Sequence, residues 1–329
     1  MPPEQKRKVD EQYKHSIAMW GPPGSGKTTF LAALSVALSR SPTLGWRIHG
    51  WDESSEKQLI QMNNQLVSGR TFPRGTVGIE EYSWVLSGPH RNARKKLFKK
   101  AHDEHVSVRL DLVDAQGEIA GPEMKFNQRD ELLDGLMRSR GIVYIFDPMR
   151  ESDDGDAFDH TFGMLVQLAR RMEEEAGWRG GRLPHYVAVC ITKFDAAPVL
   201  VTAQQMGLTV PTDDNRGFPR VPDYEARDLF EQLCTVSGTG NADMVINSLE
   251  QYFDPRRIRY FVTSAIGFYL GRGGKFDDDD PNNLLLMEEI DPRLGAQRTR
   301  IRGPVHPINV IEPVFWLIDQ MLDSGNGSS

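Results

Sequence analysis

Short apolar runs alternate with amphipathic stretches along most of the chain. The apolar runs predict strands at 16–20, 82–87, 106–114, 142–146, 186–192 and 259–263. Apolar residues recur at helical spacing over 27–39, 55–67, 129–139, 158–175 and 310–322. This alternation is typical of an α/β fold, in which helices cover a mostly parallel sheet and ligands bind at the carboxyl ends of strands. The strands at 82–87 and 106–114 are expected to pair antiparallel.

The intervals between these elements indicate how the chain is divided. Residues 1–14 are polar, and we expect a flexible N-terminal segment there. One domain is expected over 15–270, with insertions near 45–70, 89–104 and 196–255. A loop or insertion is expected over 271–309, including a solvated acidic run at 277–280, before a C-terminal helix at 310–323 that packs on the domain.

Composition narrows the possible functions. The chain has 329 residues, 39% of them hydrophobic, and a formal net charge of −7, which does not favour general binding of polyanions. No apolar stretch approaches the roughly 18 residues of a membrane span, and the start lacks a signal-peptide pattern. The two cysteines, Cys190 and Cys234, form neither a disulfide framework nor a zinc motif, so a cytoplasmic location is expected.

A glycine-rich segment follows the first predicted strand directly. It runs from Gly21 to Thr28 and matches G-x-x-x-x-G-K-[ST] between a strand and a helix. Its backbone N–H groups would surround phosphates, Lys27 would reach the β- and γ-phosphates, and the Thr28 hydroxyl would ligate Mg²⁺. The predicted phosphate-binding residues are Gly21, Pro22, Pro23, Gly24, Ser25, Gly26, Lys27, Thr28 and Thr29.

The predicted strand at 106–114 ends in a D-x-x-G pattern, from Asp114 to Gly117. Asp114 would hold a Mg²⁺-bound water, and the Gly117 N–H would contact a γ-phosphate. Taken alone, the pattern is equally compatible with a structural turn. Its position after the phosphate loop favours the nucleotide interpretation.

The predicted strand at 186–192 leads into an [NT]-K-x-D pattern that starts at Thr192. Asp195 would accept hydrogen bonds from guanine N1 and N2, while the stem of Lys193 covers the base. Adenine lacks this pair of donors, and an unpaired buried carboxylate costs about 1–3 kcal/mol, so the pattern favours guanine over adenine. A backbone N–H of Ser264-Ala265 would contact the guanine oxygen. A surface turn at 192–195 is the structural alternative.

Four segments follow predicted strands in this order: 21–28, 114–117, 192–195 and 264–265. Together they resemble the translation-factor-related (TRAFAC) class of P-loop GTPases, which includes Ras-like proteins. The resemblance covers roughly residues 15–270 and implies a three-layer P-loop NTPase fold (G domain), with a mostly parallel central sheet, one antiparallel strand and insertions. It implies Mg²⁺-dependent hydrolysis of GTP to GDP, and a nucleotide-controlled switch that binds a protein effector or regulator through its switch loops. A switch threonine completes the Mg²⁺ site in this class, for which Thr76 is the candidate and Thr71 the alternative.

Three segments carry a narrower resemblance. Residues 17–34, 76–82 and 312–316 are similar to bacterial "double-GTPase" proteins, which are associated with conflict or defence systems. This resemblance implies a role in bacterial defence.

The predicted catalytic residues depart from the Ras-like pattern. Ras-like proteins carry a water-orienting glutamine directly after the D-x-x-G glycine, but here Glu118 occupies that position and Gln116 lies inside the motif. Intrinsic hydrolysis is therefore expected to be slow, and both residues are candidates for positioning the water. Arg74 is a candidate arginine finger in cis, with a solvated loop arginine as the alternative.

Other features leave alternatives open. The segment 91–100 carries six positive residues and would bind an acidic partner, nucleic acid or lipid head groups, unless it is only a solvated surface helix. A GTP-loaded scaffold that rarely hydrolyses its nucleotide is an alternative, because Glu118 replaces the usual glutamine. An ATP-dependent P-loop enzyme would use the phosphate loop equally well, but it leaves the 192–195 pattern unexplained.

Overall fold

The computed structural model describes residues 15–22, 24–73, 81–89, 105–113, 130, 132–175, 178–179, 181–212, 214–236, 241–271, 273–287 and 298–325. The strands are β1 (Ser16–Trp20), β2 (Arg47–Gly50), β3 (Glu81–Pro89), β4 (His105–Val113), β5 (Gly141–Phe146), β6 (Tyr186–Ile191), β7 (Val210–Pro211), β8 (Pro219–Arg220), β9 (Ile258–Val262), β10 (Leu284–Met287) and β11 (Arg298–Ile301). The helices are α1 (Lys27–Ser39), α2 (Glu53–Asn63), α3 (Pro148–Asp154), α4 (Ala157–Glu175), α5 (Ala197–Gln205), α6 (Ala226–Val236), α7 (Asp243–Tyr252) and α8 (Glu312–Gly325).

Seven strands form the central sheet, in the order β2-β3-β4-β1-β5-β6-β9. Strands β4, β1, β5, β6 and β9 are parallel, whereas β3 runs antiparallel to both β2 and β4. This arrangement confirms the predicted α/β class, with a mostly parallel sheet and one antiparallel strand. Two short antiparallel pairs, β7–β8 and β10–β11, lie outside the central sheet.

Helices cover both faces of the sheet and make it the middle of three layers. Every residue of β5 is buried, as expected for a central parallel strand. Ile142 and Tyr144 belong to the apolar core beneath α4, α6 and α7, whereas Val143 and Ile145 belong to the core beneath α1, α2 and α8. Because side chains alternate along a strand, β5 alone contributes to both cores.

Helix α8 packs against β5 and β6 from the second face. Val314, Leu317 and Met321 recur at helical spacing and are fully buried. The neighbouring Trp316 packs its ring edge-on against Tyr186 of β6, with ring centroids 6.3 Å apart. The helical spacing predicted in this part of the chain is confirmed.

The structure also contains elements that the pattern did not predict. These are the helices α3 and α5 and the strands β2, β7, β8, β10 and β11. Helix α5, which lies within the insertion predicted near 196–255, buries Val199, Leu200 and Ala203. No helix in the described ranges is long and apolar enough to cross a membrane.

Candidate functional site

The segment between β1 and α1 turns tightly into the first turn of the helix. Gly24 and Gly26 have φ angles of 74° and 92°, a left-handed conformation that glycine adopts without a steric penalty. Gly26 is the N-cap residue of α1, and no described side chain caps this helix end. The backbone N–H groups of the first helical turn, at the positive end of the helix dipole, suit a negatively charged ligand.

The start of this loop passes close to β5. A Cβ atom at Gly21 would lie 2.6 Å from the carbonyl oxygen of Ile145 and 2.9 Å from the Ser25 hydroxyl. That hydroxyl is buried and has no hydrogen-bond partner among the described residues. A buried hydroxyl without a partner costs about 1–3 kcal/mol. A phosphate oxygen bound in the loop would relieve this cost.

Lys27 is held inside the same loop. Its side chain is 5% exposed, and Nζ donates hydrogen bonds to the carbonyl oxygens of Gly21 at 3.1 Å and Pro22 at 3.0 Å. No acidic residue lies in the first turn of α1. The buried ammonium group therefore adds positive charge beside the helix N-terminus, and charge-assisted hydrogen bonds to an anion are the strongest that it can form.

Asp195 and Ser264 come from different loops and meet in the interior. The Ser264 hydroxyl donates a hydrogen bond to Oδ1 of Asp195, and its oxygen accepts one from the Gly267 N–H at 2.8 Å. Burial raises the pKa of Asp195 from 3.8 to about 6, although the hydrogen bond from Ser264 opposes this change. The carboxylate is therefore mostly ionised near neutral pH and able to accept hydrogen bonds.

The loop after β6 is fixed by Lys193 and by the ends of neighbouring strands. Lys193 adopts a left-handed φ of 57°, and its Nζ lies 2.6 Å from Oδ2 of the buried Asp147. Asp147 caps α3 through Oδ1, which accepts from the N–H groups of Met149 and Arg150. Thr192 donates from both its N–H and its hydroxyl to the Phe146 carbonyl. These contacts anchor the loop to the carboxyl end of β5.

One cavity of about 530 Å³ joins the phosphate loop to the loop of Asp195. Predicted site residues in its wall are Gly24, Ser25, Gly26, Lys27, Thr28, Thr29, Thr192, Lys193, Asp195 and Ala265. Gly21, Pro22 and Ser264 do not line the cavity, but each is hydrogen-bonded to a residue that does. The sequence patterns therefore identify residues that the fold brings together at the carboxyl ends of parallel strands.

The cavity wall also contains residues that sequence reasoning missed. They are Phe30, Phe72, Pro73, Met149, Ala196, Thr263, Ile266, Leu284 and Thr299. Asp147, which pairs with Lys193, was missed as well, although an aspartate followed by proline after a buried strand is a helix-start signal. Leu284 opens an apolar Leu-Leu-Leu-Met run, the signal from which β10 could have been found.

Several predicted residues fall outside the part of the chain that the structure describes. These are Pro23, Arg74, Thr76, Asp114, Gln116, Gly117 and Glu118, together with the basic segment 91–100. Thr71, the alternative to Thr76, is described and exposed. The Thr71 hydroxyl donates to the Gln65 carbonyl at 3.4 Å. Thr71 does not line the cavity, whereas Phe72 and Pro73 do.

The described residues contain no group of three or more His, Cys, Asp or Glu side chains that could hold a metal ion. A nucleotide-bound Mg²⁺ requires fewer protein ligands, because it keeps several waters and takes phosphate oxygens besides one or two side chains. The Thr28 hydroxyl lies in the first turn of α1 and in the cavity wall, so its position suits one such ligand.

A larger groove of about 1030 Å³ follows the free edge of β9. Three of its four arginines are paired with acidic side chains: Arg216 with Asp214, Arg227 with Glu250, and Arg259 with Asp223. None of the predicted site residues lines this groove. Its size alone therefore does not make it the better candidate site.

No protein-family model and no curated protein matches the chain. The solved structures that are similar to it include Sup35 complexed with GMPPNP and Sup35 complexed with GDP. The sequence identities are 12% and 10%, and the TM-scores are 0.31 and 0.30. The alignments cover 80% and 76% of this chain but only 40% and 37% of the Sup35 chains, so this chain spans about two fifths of the solved chains that it matches.

Proposed function

We propose that this chain binds a guanine nucleotide and hydrolyses GTP to GDP and phosphate. One observation carries the proposal: the phosphate loop and Asp195 line the same cavity. The helix N-terminus and Lys27 favour phosphate groups. The buried Asp195 carboxylate favours a base edge with two N–H donors, which guanine has and adenine lacks. The combination supports GTP over ATP.

Lys27 and Thr28 of the phosphate loop would have different roles in GTP hydrolysis. Lys27 would stabilise negative charge on the β- and γ-phosphates, and Thr28 would bind Mg²⁺, which neutralises the phosphate charge when bound. Their buried positions support these roles. The resemblance to TRAFAC GTPases supports Thr76 and Asp114 at the Mg²⁺ site. Water positioning by Gln116 or Glu118, and an arginine finger at Arg74, are proposed on sequence alone.

We further propose that the nucleotide controls binding of a protein partner. Phe72 and Pro73 line the cavity and directly precede Arg74 and Thr76, which the resemblance to TRAFAC GTPases assigns to a switch loop. A γ-phosphate that orders this loop would change the surface offered to a partner, and its loss would release the loop. The similarity to bacterial double-GTPase proteins supports a partner that belongs to a defence system.

The base assignment is tested by comparing the wild type with Asp195→Asn by isothermal titration calorimetry in the presence of Mg²⁺. We expect the wild type to prefer GTP over ATP, and the variant to lose about 100-fold in GTP affinity because two hydrogen bonds to a charged acceptor are lost. The variant should gain affinity for XTP, since an asparagine amide donates to the 2-oxo group of xanthine. Equal binding of ATP and GTP, unchanged by the substitution, would refute the guanine assignment.

Hydrolysis is tested separately by phosphate release at saturating GTP over many turnovers. We expect slow release by the wild type and none above background by Lys27→Ala. If the wild type binds GTP tightly but releases phosphate no faster than Lys27→Ala, the result would contradict hydrolysis and favour the GTP-loaded scaffold.

A further inference from the structure

The hairpin formed by β10 and β11 presents one face to the cavity and the other to solvent. Leu284 pairs with Ile301, and Leu285 pairs with Arg300. Because side chains alternate across a strand, Leu284 lies on the same hairpin face as Ile301 and Thr299. Leu284 and Thr299 line the cavity, whereas Leu285 on the opposite face is 43% exposed.

The base of this hairpin is bonded to the loop that carries Ser264 and Ala265. The fully buried Asn283 donates from Nδ2 to the Ile266 carbonyl at 3.2 Å. Its Oδ1 accepts from the Gly303 N–H at 2.8 Å, and its backbone carbonyl accepts from the Arg302 N–H at 2.8 Å. Asn283 therefore fixes both strands of the hairpin against the chain that follows Ala265.

The other side of the hairpin is bonded to the chain that leads to Phe72. The Ile301 N–H donates to the Arg70 carbonyl at 2.8 Å, and Arg70 Nη1 donates to the Arg302 carbonyl at 3.1 Å. Arg70 itself adopts a left-handed φ of 51°. Phe72, two residues later, lines the same cavity as Leu284. The hairpin thus bridges the two loops that bound the cavity on this side.

Arg302 makes the hairpin base rigid. Its two terminal nitrogens bind the Asp280 carboxylate at 2.6 and 2.8 Å, and its guanidinium group lies 3.5 Å from the centre of the Tyr269 ring. A bidentate ion pair combined with ring stacking fixes a side chain in both distance and orientation. A rigid support keeps Leu284 and Thr299 in place before any ligand binds.

We infer that the β10–β11 hairpin is a wall of the nucleotide site, in which Leu284 and Thr299 contact the bound nucleotide. This inference rests on the proposed nucleotide binding. Leu284 is half-buried and Thr299 is exposed, so both side chains keep surface that a ligand can cover. Leu284 supplies apolar surface for a ring of the nucleoside, and the Thr299 hydroxyl supplies a hydrogen-bonding group. Neither contact depends on which purine is bound.

The test measures dissociation of GDP carrying a tritium label in the base, since this label adds no bulk that could contact the cavity wall. Leu284→Ala should accelerate release about fivefold to tenfold because apolar contact area is lost. Thr299→Val keeps the side-chain volume and removes the hydroxyl, and should accelerate release about threefold. Leu285→Ala and Arg300→Ala change the opposite face of the same strands and should stay within twofold of the wild type.

Thermal unfolding without nucleotide serves as the control for folding. Leu284→Ala lowers the melting temperature to some extent, because Leu284 also packs against the core. The additional stabilisation by GDP should nevertheless shrink in this variant and in Thr299→Val, but not in Leu285→Ala. Release rates of Leu284→Ala and Thr299→Val that both match the wild type would overturn the inference.

The outcome separates this inference from the proposed function. A wild type that binds ADP as tightly as GDP overturns the guanine assignment, and the hairpin is then tested by the release of labelled ADP. A wild type that binds neither nucleotide overturns both proposals. A wild type that prefers GDP and is unaffected by the hairpin substitutions overturns the hairpin inference alone.

Discussion

The Ser264 hydroxyl donates a hydrogen bond to the Asp195 carboxylate across 69 residues of sequence. The contact joins the loop after β6 to the loop after β9, two neighbouring parallel strands. Both side chains are buried, so the bond forms where water does not compete with it. The carboxylate proposed to recognise guanine is therefore oriented before a nucleotide arrives.

Ser264→Ala should weaken GTP binding about tenfold, because Asp195 loses the donor that orients it and its ionised form becomes less favourable. Isothermal titration calorimetry at neutral pH measures the change. Ser248→Ala is the matched control, since Ser248 is also buried and its hydroxyl donates to the Met244 carbonyl of its own helix. Equal losses in the two variants would show that general destabilisation, and not the Asp195 contact, is responsible.

Lys27→Ala should reduce the affinity for GTP and for GDP at least about 100-fold, because it removes a buried cation from the phosphate loop. Equilibrium binding in the presence of Mg²⁺ measures both affinities. Lys57→Ala is the control, because Lys57 is exposed and pairs with Glu53 on the surface of α2. GTP affinity of Lys27→Ala within threefold of the wild type would disprove the phosphate-loop assignment.

The raised pKa of Asp195 predicts a pH-dependent stability of the nucleotide-free chain. The Asp195 carboxyl group binds its proton more tightly in the folded state, with a pKa of about 6, than in the unfolded state, with a pKa of 3.8. Protonation of Asp195 therefore stabilises the folded state fully below about pH 4, and this stabilisation is lost as the pH rises through 6. The neutral Asp195→Asn variant lacks this loss. Relative to the wild type, its free energy of unfolding should increase by about 1 kcal/mol between about pH 5 and pH 7.5.

Urea unfolding at the two pH values measures this difference. The comparison between pH values removes any constant cost of burying the asparagine amide. A difference between variant and wild type that is constant with pH would mean that the pKa of Asp195 is not raised in the folded chain.

Gly21→Ala should lower the free energy of unfolding by about 1–3 kcal/mol, because the added methyl group would meet the Ile145 carbonyl at 2.6 Å. Gly163→Ala is the matched control: Gly163 lies within α4 and a methyl group there has no atom within 4 Å. This second substitution should stabilise the chain by about 0.5–1 kcal/mol. Urea unfolding of both variants gives the two values, and effects of equal sign would contradict the close approach of the loop to β5.

The central sheet and part of the site were predictable because their signals are local. A fully apolar strand such as β5 is recognisable within a few residues, and so is the glycine spacing of the phosphate loop. The alternation of strands and helices then places the end of β1 and the end of β6 at the same edge of the sheet. That reasoning is sufficient to predict that Lys27 and Asp195 lie at the same site, and both line one cavity.

The elements that were missed depend on partners distant in sequence. Strand β2 has four residues, only one of them a large apolar residue, and it is a strand because it pairs with β3 at the edge of the sheet. The place of Thr299 in the cavity wall follows from its position in a hairpin whose base is bonded to Asn283 and Arg70. Local patterns do not encode such long-range contacts, which tertiary packing decides.

Helix α8 has a consequence for how the protein is made. It covers β5 and β6, which are synthesised much earlier, and Gly141 at the start of β5 leaves room for Leu317. As the chain leaves the ribosome, the part of this sheet face that α8 covers therefore stays exposed until residues beyond 312 emerge. The phosphate loop is thus synthesised long before the sheet beside it is fully covered, and during that interval the chain exposes apolar surface of β5 and β6.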